Sequence, residues 1–289
     1  MTVREGTVDS HGAGIHYLDW GPPASRPQAD APTLILIHAT GFLAALWNPI
    51  AEQLSSTFRV VAMDQRGHGD SDKPADGYTF ELLADDTQRL ITELGLERPL
   101  AAGHSSGGTT IVMHAEKYPG VIQRSVLIEP ILPQPDWYTV KAPNRNPNSL
   151  AEGARKRRAI WPSRREMLEA YQTRPMFERW REDILQTYAD EGTADRNDGQ
   201  VELKCPPEVE AQFFEAVTKI DAWQNLSEFT MPTLVLWGAD SHLISRGLAD
   251  QVDEALPNAE TVLVDGTTHF LPQERPDEIA RLMERFLSD

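Results

Sequence analysis

Ser105 stands at the centre of Gly103-His104-Ser105-Ser106-Gly107, a G-x-S-x-G pattern. The pattern alone recurs by chance and also describes a Gly/Ser-rich turn that caps a helix. Here it follows the apolar Leu100-Ala101-Ala102 and opens a helical run, the strand-to-helix setting in which such a serine becomes a nucleophile. A sharp turn there forces the middle residue into a strained conformation, and the two glycines leave room for close backbone approach. Ser105 is thereby presented at a helix N-terminus, where the dipole favours developing negative charge.

A serine hydroxyl is a weak nucleophile and needs a base. Of the eight histidines, His269 is the first candidate. It follows the last expected strand, in Asp265-Gly266-Thr267-Thr268-His269-Phe270, and precedes the final helix. In a doubly wound sheet that loop lies at the C-terminal ends of the strands, on the same edge as Ser105. His242, which also follows a strand, is its main competitor. His38, His104 and His114 read as local packing and hydrogen-bonding groups.

The elements that would position these residues are legible as runs. Residues 33–38, 58–63, 98–102 and 124–128 are short apolar stretches of the buried parallel-strand type. Helical patterns at 47–55, 79–94 and 106–118 lie between them. The middle one spaces Phe80, Leu83, Thr87, Leu90, Ile91 and Leu94 on one face, and Gly95 ends it. Strand and helix in alternation predict a mostly parallel α/β sheet, doubly wound, with helices on both faces. The alternation stops after Glu129. The text from 133 to about 226 is helical, with a capping box at Ser163-Arg164-Arg165-Glu166, a turn at 196–200 and a helix over 208–220. Strands at 233–237 and 260–264 and helices at 248–255 and 277–287 then resume the first pattern. The division expected is one core in two parts, 1–132 and 228–289, interrupted by a helical lid over 133–227. Residues 7–9 and 14–20 could add antiparallel edge strands.

Composition narrows the function classes. With 27 basic against 44 acidic residues the net charge is −17 at pH 7, which repels nucleic acid and anionic lipid at long range. The basic run Arg155-Lys156-Arg157-Arg158 reads as a solvated or salt-bridged helix face. Hydrophobic residues make up 40% and charged residues 25% of the chain, which excludes a wholly disordered one. No apolar run approaches the roughly 20 residues of a membrane helix. The N-terminus lacks a basic-then-apolar signal, so a cytoplasmic protein is expected. Cys205 is the one cysteine, excluding an internal disulfide and a multi-thiolate metal site, and its default reading is a buried thiol.

Taken together, the motifs resemble those of the α/β-hydrolase fold superfamily, in its serine esterase and lactonase group. His38-Ala39-Thr40-Gly41-Phe42 stands where that family has its oxyanion loop, although Ala39 replaces the usual glycine. Asp64-Gln65-Arg66-Gly67-His68-Gly69-Asp70-Ser71 matches its D-x-R-G-x-G-x-S loop, in which Asp64 and Arg66 are expected to fix the backbone and His68 to be structural. Ser105 falls at the nucleophile elbow and His269 at the family histidine. The insertion falls where the family carries its lid, after the sixth core strand.

The resemblance implies a third triad member and leaves two candidates. Most of the family places an Asp three residues past a Gly after the strand that follows the lid. Here that position is Ser241, and Asp240 is one residue early. The alternative is Glu129, which ends the strand directly after the elbow helix. Zearalenone-type lactonases are similar in pairing a G-x-S-S-G elbow with a Glu at that strand end. A buried carboxylate needs a partner, and His269 would supply it. The resemblance also implies an oxyanion hole from the backbone N–H groups of Thr40 and Ser106.

The function expected is that of a cofactor-free, metal-free serine hydrolase that cleaves a small-molecule carboxylic ester or lactone, apolar and of moderate size. A carbon–carbon hydrolase of a diketone and a perhydrolase use the same residues and remain open, as does a receptor-like binding protein with little turnover. Epoxide-hydrolase and dehalogenase chemistry is disfavoured, because it needs a carboxylate at the elbow. Trp137, Tyr138, Trp161, Trp180 and Trp223 lie in or beside the lid as core or pocket candidates.

Overall fold

The protein is described by a computed structural model covering residues 3–22, 31–132, 148–224, 226, 229–241 and 246–288. Eight strands form the main sheet: β1 (Arg4–Ser10), β2 (Ala13–Gly21), β3 (Thr33–Ile37), β4 (Arg59–Met63), β5 (Leu100–His104), β6 (Ser125–Ile128), β10 (Thr233–Gly238) and β11 (Ala259–Val264). Their order is β1-β2-β4-β3-β5-β6-β10-β11. The first two strands are antiparallel additions at one edge, as expected, and the remaining six are parallel.

Period-two alternation explains why both faces of this sheet are covered. Ile35, Ile37, Val61, Met63, Ala101, Leu127 and Val235 point to one face, where α2 (Phe80–Glu93), α3 (Ser106–Lys117) and α8 (Arg246–Ala255) pack. Leu34, Leu36, Val60, Ala62, Leu100, Val126 and Leu236 point to the other, covered by α1 (Asn48–Leu54) and α10 (Pro276–Leu287). Neighbours in sequence thus serve opposite cores. Burying each such Leu, Ile or Val contributes about 1.5–3 kcal/mol.

Between β6 and β10, residues 148–217 form α4 (Ser149–Arg155), β7 (Ile160–Trp161), α5 (Arg164–Gln172), α6 (Glu182–Glu191), β8 (Thr193–Asp195), β9 (Val201–Leu203) and α7 (Pro207–Val217). The helical text expected here also holds three short strands, because β7, β9 and β8 make a small antiparallel sheet. Strands of two or three residues are too short to show a period. The expected turn at 196–200 is the hairpin that joins two of them, closed by Arg196 N–H on Gln200 O at 2.9 Å. Ser163 caps α5 by accepting the Glu166 N–H.

The basic run stitches this region together. Arg155 pairs with Glu208 and Glu215 of α7, and Arg158 lies over the Trp161 ring. No helix among the described residues is long and apolar enough to cross a membrane.

Candidate active site

The turn from β5 into α3 puts Ser105 at φ 54° and ψ −116°, a left-handed conformation for a residue with a side chain. Such a residue costs about 1–3 kcal/mol and persists only when its surroundings over-determine it. They do so here. A Cβ on Gly107 would lie 2.2 Å from the Ile37 carbonyl oxygen, and one on Gly103 would lie 2.4 Å from the Gly107 backbone. The two glycines let α3 press against β3 and β5. Ser105 N–H donates to Ile128 O at 2.9 Å, which ties the elbow to β6.

His269 arrives on the loop between β11 and α9 (Leu271–Glu274). Its Nδ1 faces Glu129 Oε2 at 3.1 Å. Glu129, directly after β6, is fully buried. Its Oε1 accepts the Gly238 N–H at 2.7 Å, and its Oε2 also accepts the Ser241 hydroxyl at 2.9 Å. Burying a carboxylate is expensive unless it is hydrogen-bonded in this way. Glu129 itself is held at φ 47°, a second strained non-glycine residue on this edge.

Asp240, the other acid candidate, is not brought to His269. Its carboxylate pairs with Arg179 at 2.7 Å and is about half exposed, at 47%. After β10 the chain turns tightly, with Ser241 N–H on Gly238 O and Asp240 N–H on Thr267 O. That turn sends Asp240 towards solvent and Ser241 towards Glu129. His242 lies outside the described residues.

Two contacts here escape sequence reasoning. Ser241 stands at the noted position three residues past Gly238, but its bond to Glu129 is a tertiary fact. His104 donates from Nε2 to the His269 carbonyl at 2.8 Å, and so grips the backbone of the residue it neighbours in space. Burial, reinforced by nearby His269, holds the His104 pKa well below the ordinary histidine value.

The loop after β3 carries Thr40. Neither the Thr40 nor the Ser106 N–H has an acceptor among the described residues. Two buried histidines shape the loop. His38 Nε2 accepts the Gln65 N–H at 3.0 Å, and His68 Nε2 accepts the Gly41 N–H at 2.9 Å. An imidazole that accepts through Nε2 must be neutral, with its proton on Nδ1. Nδ1 accordingly faces the Ala39 carbonyl in His38 and the Arg66 carbonyl in His68. Burial lowers both pKa values, that of His68 to about 3 with help from nearby His38.

Asp64 accepts the Ala44 and Asp70 N–H groups, and Arg66 forms a buried ion pair with Asp86. Both residues fix the backbone, as expected. His16, Asp64 and Asp70 bring potential metal-ligating atoms within 4.8 Å of one another. Both Asp64 oxygens already accept hydrogen bonds there, so the group reads as a structural hub.

An aromatic wall stands beside these loops. Phe42 packs edge-on to Trp180 at 5.2 Å between ring centroids, and Phe270 packs on both. Trp161 is buried in the region between β6 and β10, and Trp223 donates to the Leu132 carbonyl. Trp137 and Tyr138 lie outside the described residues. Cys205 is buried, and burial pushes its thiol well up, which leaves it inert.

The sequence profile of the alpha/beta hydrolase fold matches residues 32–276. The 2-(acetamidomethylene)succinate hydrolase of Mesorhizobium japonicum is 26% identical over 264 residues, 91% of this chain and 90% of that one. The solved structure of E-2-(acetamidomethylene)succinate hydrolase superposes with a TM-score of 0.83 at 22% identity, covering 100% of both chains. The enol-lactonase from Burkholderia xenovorans does so with a TM-score of 0.76 at 23% identity, covering 98% of this chain and 100% of that one. With the profile spanning most of its length and its eight-stranded, mostly parallel sheet ordered as described, this chain belongs to the alpha/beta hydrolase fold family.

Proposed function

We propose that this protein is a serine hydrolase that cleaves a small carboxylic ester or lactone through an acyl-enzyme on Ser105. The observation that carries the reading is the 3.1 Å approach of His269 Nδ1 to the buried Glu129 carboxylate, on the edge where the strained Ser105 is presented. In this reading His269 Nε2 takes the Ser105 proton as the hydroxyl oxygen attacks the substrate carbonyl. The N–H groups of Thr40 and Ser106 stabilise the oxyanion of the tetrahedral intermediate. His269 then gives the proton to the departing alkoxide, which leaves as an alcohol. Water, deprotonated by the same imidazole, attacks the acyl-enzyme and restores Ser105. Glu129 fixes the imidazole tautomer and balances its transient positive charge. Phe42, Trp180 and Phe270 favour an apolar acyl or alcohol group.

A panel of p-nitrophenyl esters and lactones tests the substrate class. The acetamido group in the name of the M. japonicum relative makes N-acyl compounds the second class to include.

The deciding experiment is mass spectrometry after incubation with a fluorophosphonate. A single adduct on Ser105 that is absent from Ser105→Ala is the expected result. No adduct on the wild-type protein would overturn the reading and raise a binding role without turnover.

A further inference from the structure

We propose that Tyr188, from the inserted lid region, is a positioning residue for the oxyanion loop, an inference that rests on the serine-hydrolase reading above. Residues 39–42 form a tight turn closed by Phe42 N–H on Ala39 O at 3.1 Å, with Gly41 at φ 81° in its third place. Positive φ at that place, with Thr40 before it not left-handed, makes this a type II turn and fixes which way the central Thr40–Gly41 peptide points. Both polar groups of Gly41 are held by side chains from distant parts of the chain. Its N–H donates to His68 Nε2 at 2.9 Å, from the core side. Its carbonyl accepts the Tyr188 hydroxyl at 2.8 Å, from α6.

The tyrosine is itself constrained. Arg157 Nη2 donates to the Tyr188 oxygen, and an arginine can only donate. The Tyr188 hydrogen is therefore committed to Gly41, and a donor that also accepts from a cation is polarised and strengthened. Arg157 is in turn anchored by Glu210 at 2.7 Å and by the Tyr171 hydroxyl at 3.0 Å. The Arg157 and Glu210 side chains are only 14% and 13% exposed, so the pair is screened little by solvent. A Cβ on Gly41 would lie 3.0 Å from Glu210 Oε1, so a side chain there would crowd this network. Thr40, one residue before Gly41, has its backbone set by the same clamp. The lid region thereby reaches the transition state without touching substrate.

The test compares wild type, Tyr188→Phe and Arg164→Gln, each checked by circular dichroism. The readouts are kcat and KM on a p-nitrophenyl ester and Ki for a trifluoromethyl ketone, whose hemiketal oxyanion occupies the same hole. Tyr188→Phe is expected to lower kcat and weaken the ketone by about tenfold each, with KM within about twofold, because the hole acts mainly in the transition state. Arg164→Gln breaks a largely exposed pair with Asp195 in the same inserted region and touches neither Arg157 nor the loop, and both quantities are expected to stay within about twofold. Wild-type kcat and Ki in Tyr188→Phe would overturn the proposal. So would an equal loss in both variants, which would signify general loosening of the lid. If Tyr188→Phe does not fold, Glu210→Gln is measured in its place. A weaker split in the same direction supports the proposal, and no split overturns it. A wild-type protein without a Ser105 adduct would instead remove the hydrolase reading beneath it, an outcome that no loop variant produces.

Discussion

The Ser241 hydroxyl donates to Glu129 Oε2 at 2.9 Å, the same oxygen that faces His269 Nδ1. The two residues leave adjacent parallel strands, and the turn after β10 folds one over the other. Gly238 N–H fills the remaining carboxylate oxygen at 2.7 Å. The imidazole therefore meets a carboxylate whose direction is already set, which in the proposed reaction need not reorganise as charge develops on the ring.

This arrangement separates the two acids by experiment. Glu129→Gln keeps the shape and removes the charge, and is expected to lower kcat about 10⁴-fold, in line with amide replacement of a triad acid elsewhere. Asp240→Asn breaks a half-exposed pair with Arg179 and is expected to leave kcat within about twofold. Steady-state kinetics on one ester decides between them, and equal losses in the two variants would reject the Glu129 assignment.

Ser241→Ala removes one donor from Glu129 and leaves its other contacts. About a three- to tenfold fall in kcat with an unchanged KM is expected, the size of one ordinary intramolecular hydrogen bond, because Gly238 N–H still holds the carboxylate. A change confined to KM would place Ser241 on the substrate side instead.

Gly107→Ala tests the elbow itself. Its Cβ would press on the Ile37 carbonyl oxygen, a backbone atom that cannot swing away. A loss of about 3 kcal/mol or more in urea unfolding is expected, with loss of fluorophosphonate labelling. Wild-type stability would show that α3 and β3 can separate at little cost.

Acid should weaken the fold through its buried neutral histidines. Burial lowers the pKa values of His38, His68, His104 and His114, to about 3 for His68 and about 4 for His114. The folded protein keeps these rings neutral, while the unfolded chain takes up protons below the ordinary histidine value of about 6.5. Their contribution is thus fully present above that value. It is lost progressively as pH falls towards the folded values, at up to about 1.4 kcal/mol per pH unit for each ring. His16 works in the opposite sense. Burial pulls its pKa down, but the hydrogen bond and charge of Asp64 prevail and raise it, so its contribution fades as pH rises. Four rings against one predict a urea midpoint that falls between pH 6.5 and 4, and a flat profile across that range would contradict the neutral assignments.

Ser105, His269 and the alternating core were readable because local pattern controls them. Apolar runs make the parallel strands, and Gly103 and Gly107 bracket a turn that only a strand and a helix together explain. The choice between Glu129 and Asp240 was not readable to the same degree. It depends on a turn after Gly238 that hydrogen bonds from the His269 loop impose. His104 and Tyr188 were passed over for the same reason, since each acts on a carbonyl more than a hundred residues away. The small sheet of β7, β8 and β9 escaped because its strands are shorter than any period.

The strand order β5-β6-β10-β11 sets the four active-edge residues on consecutive neighbours, and that adjacency makes the negative charge portable. The oxygens of Glu129 and Ser241 meet within a hydrogen bond, so a carboxylate transplanted one strand sideways would reach the same imidazole. The pair Glu129→Ala and Ser241→Asp would move the acid without moving the base or the nucleophile. Both substitutions are needed together, because Ser241→Asp alone would set two carboxylates side by side where a hydroxyl now donates to one.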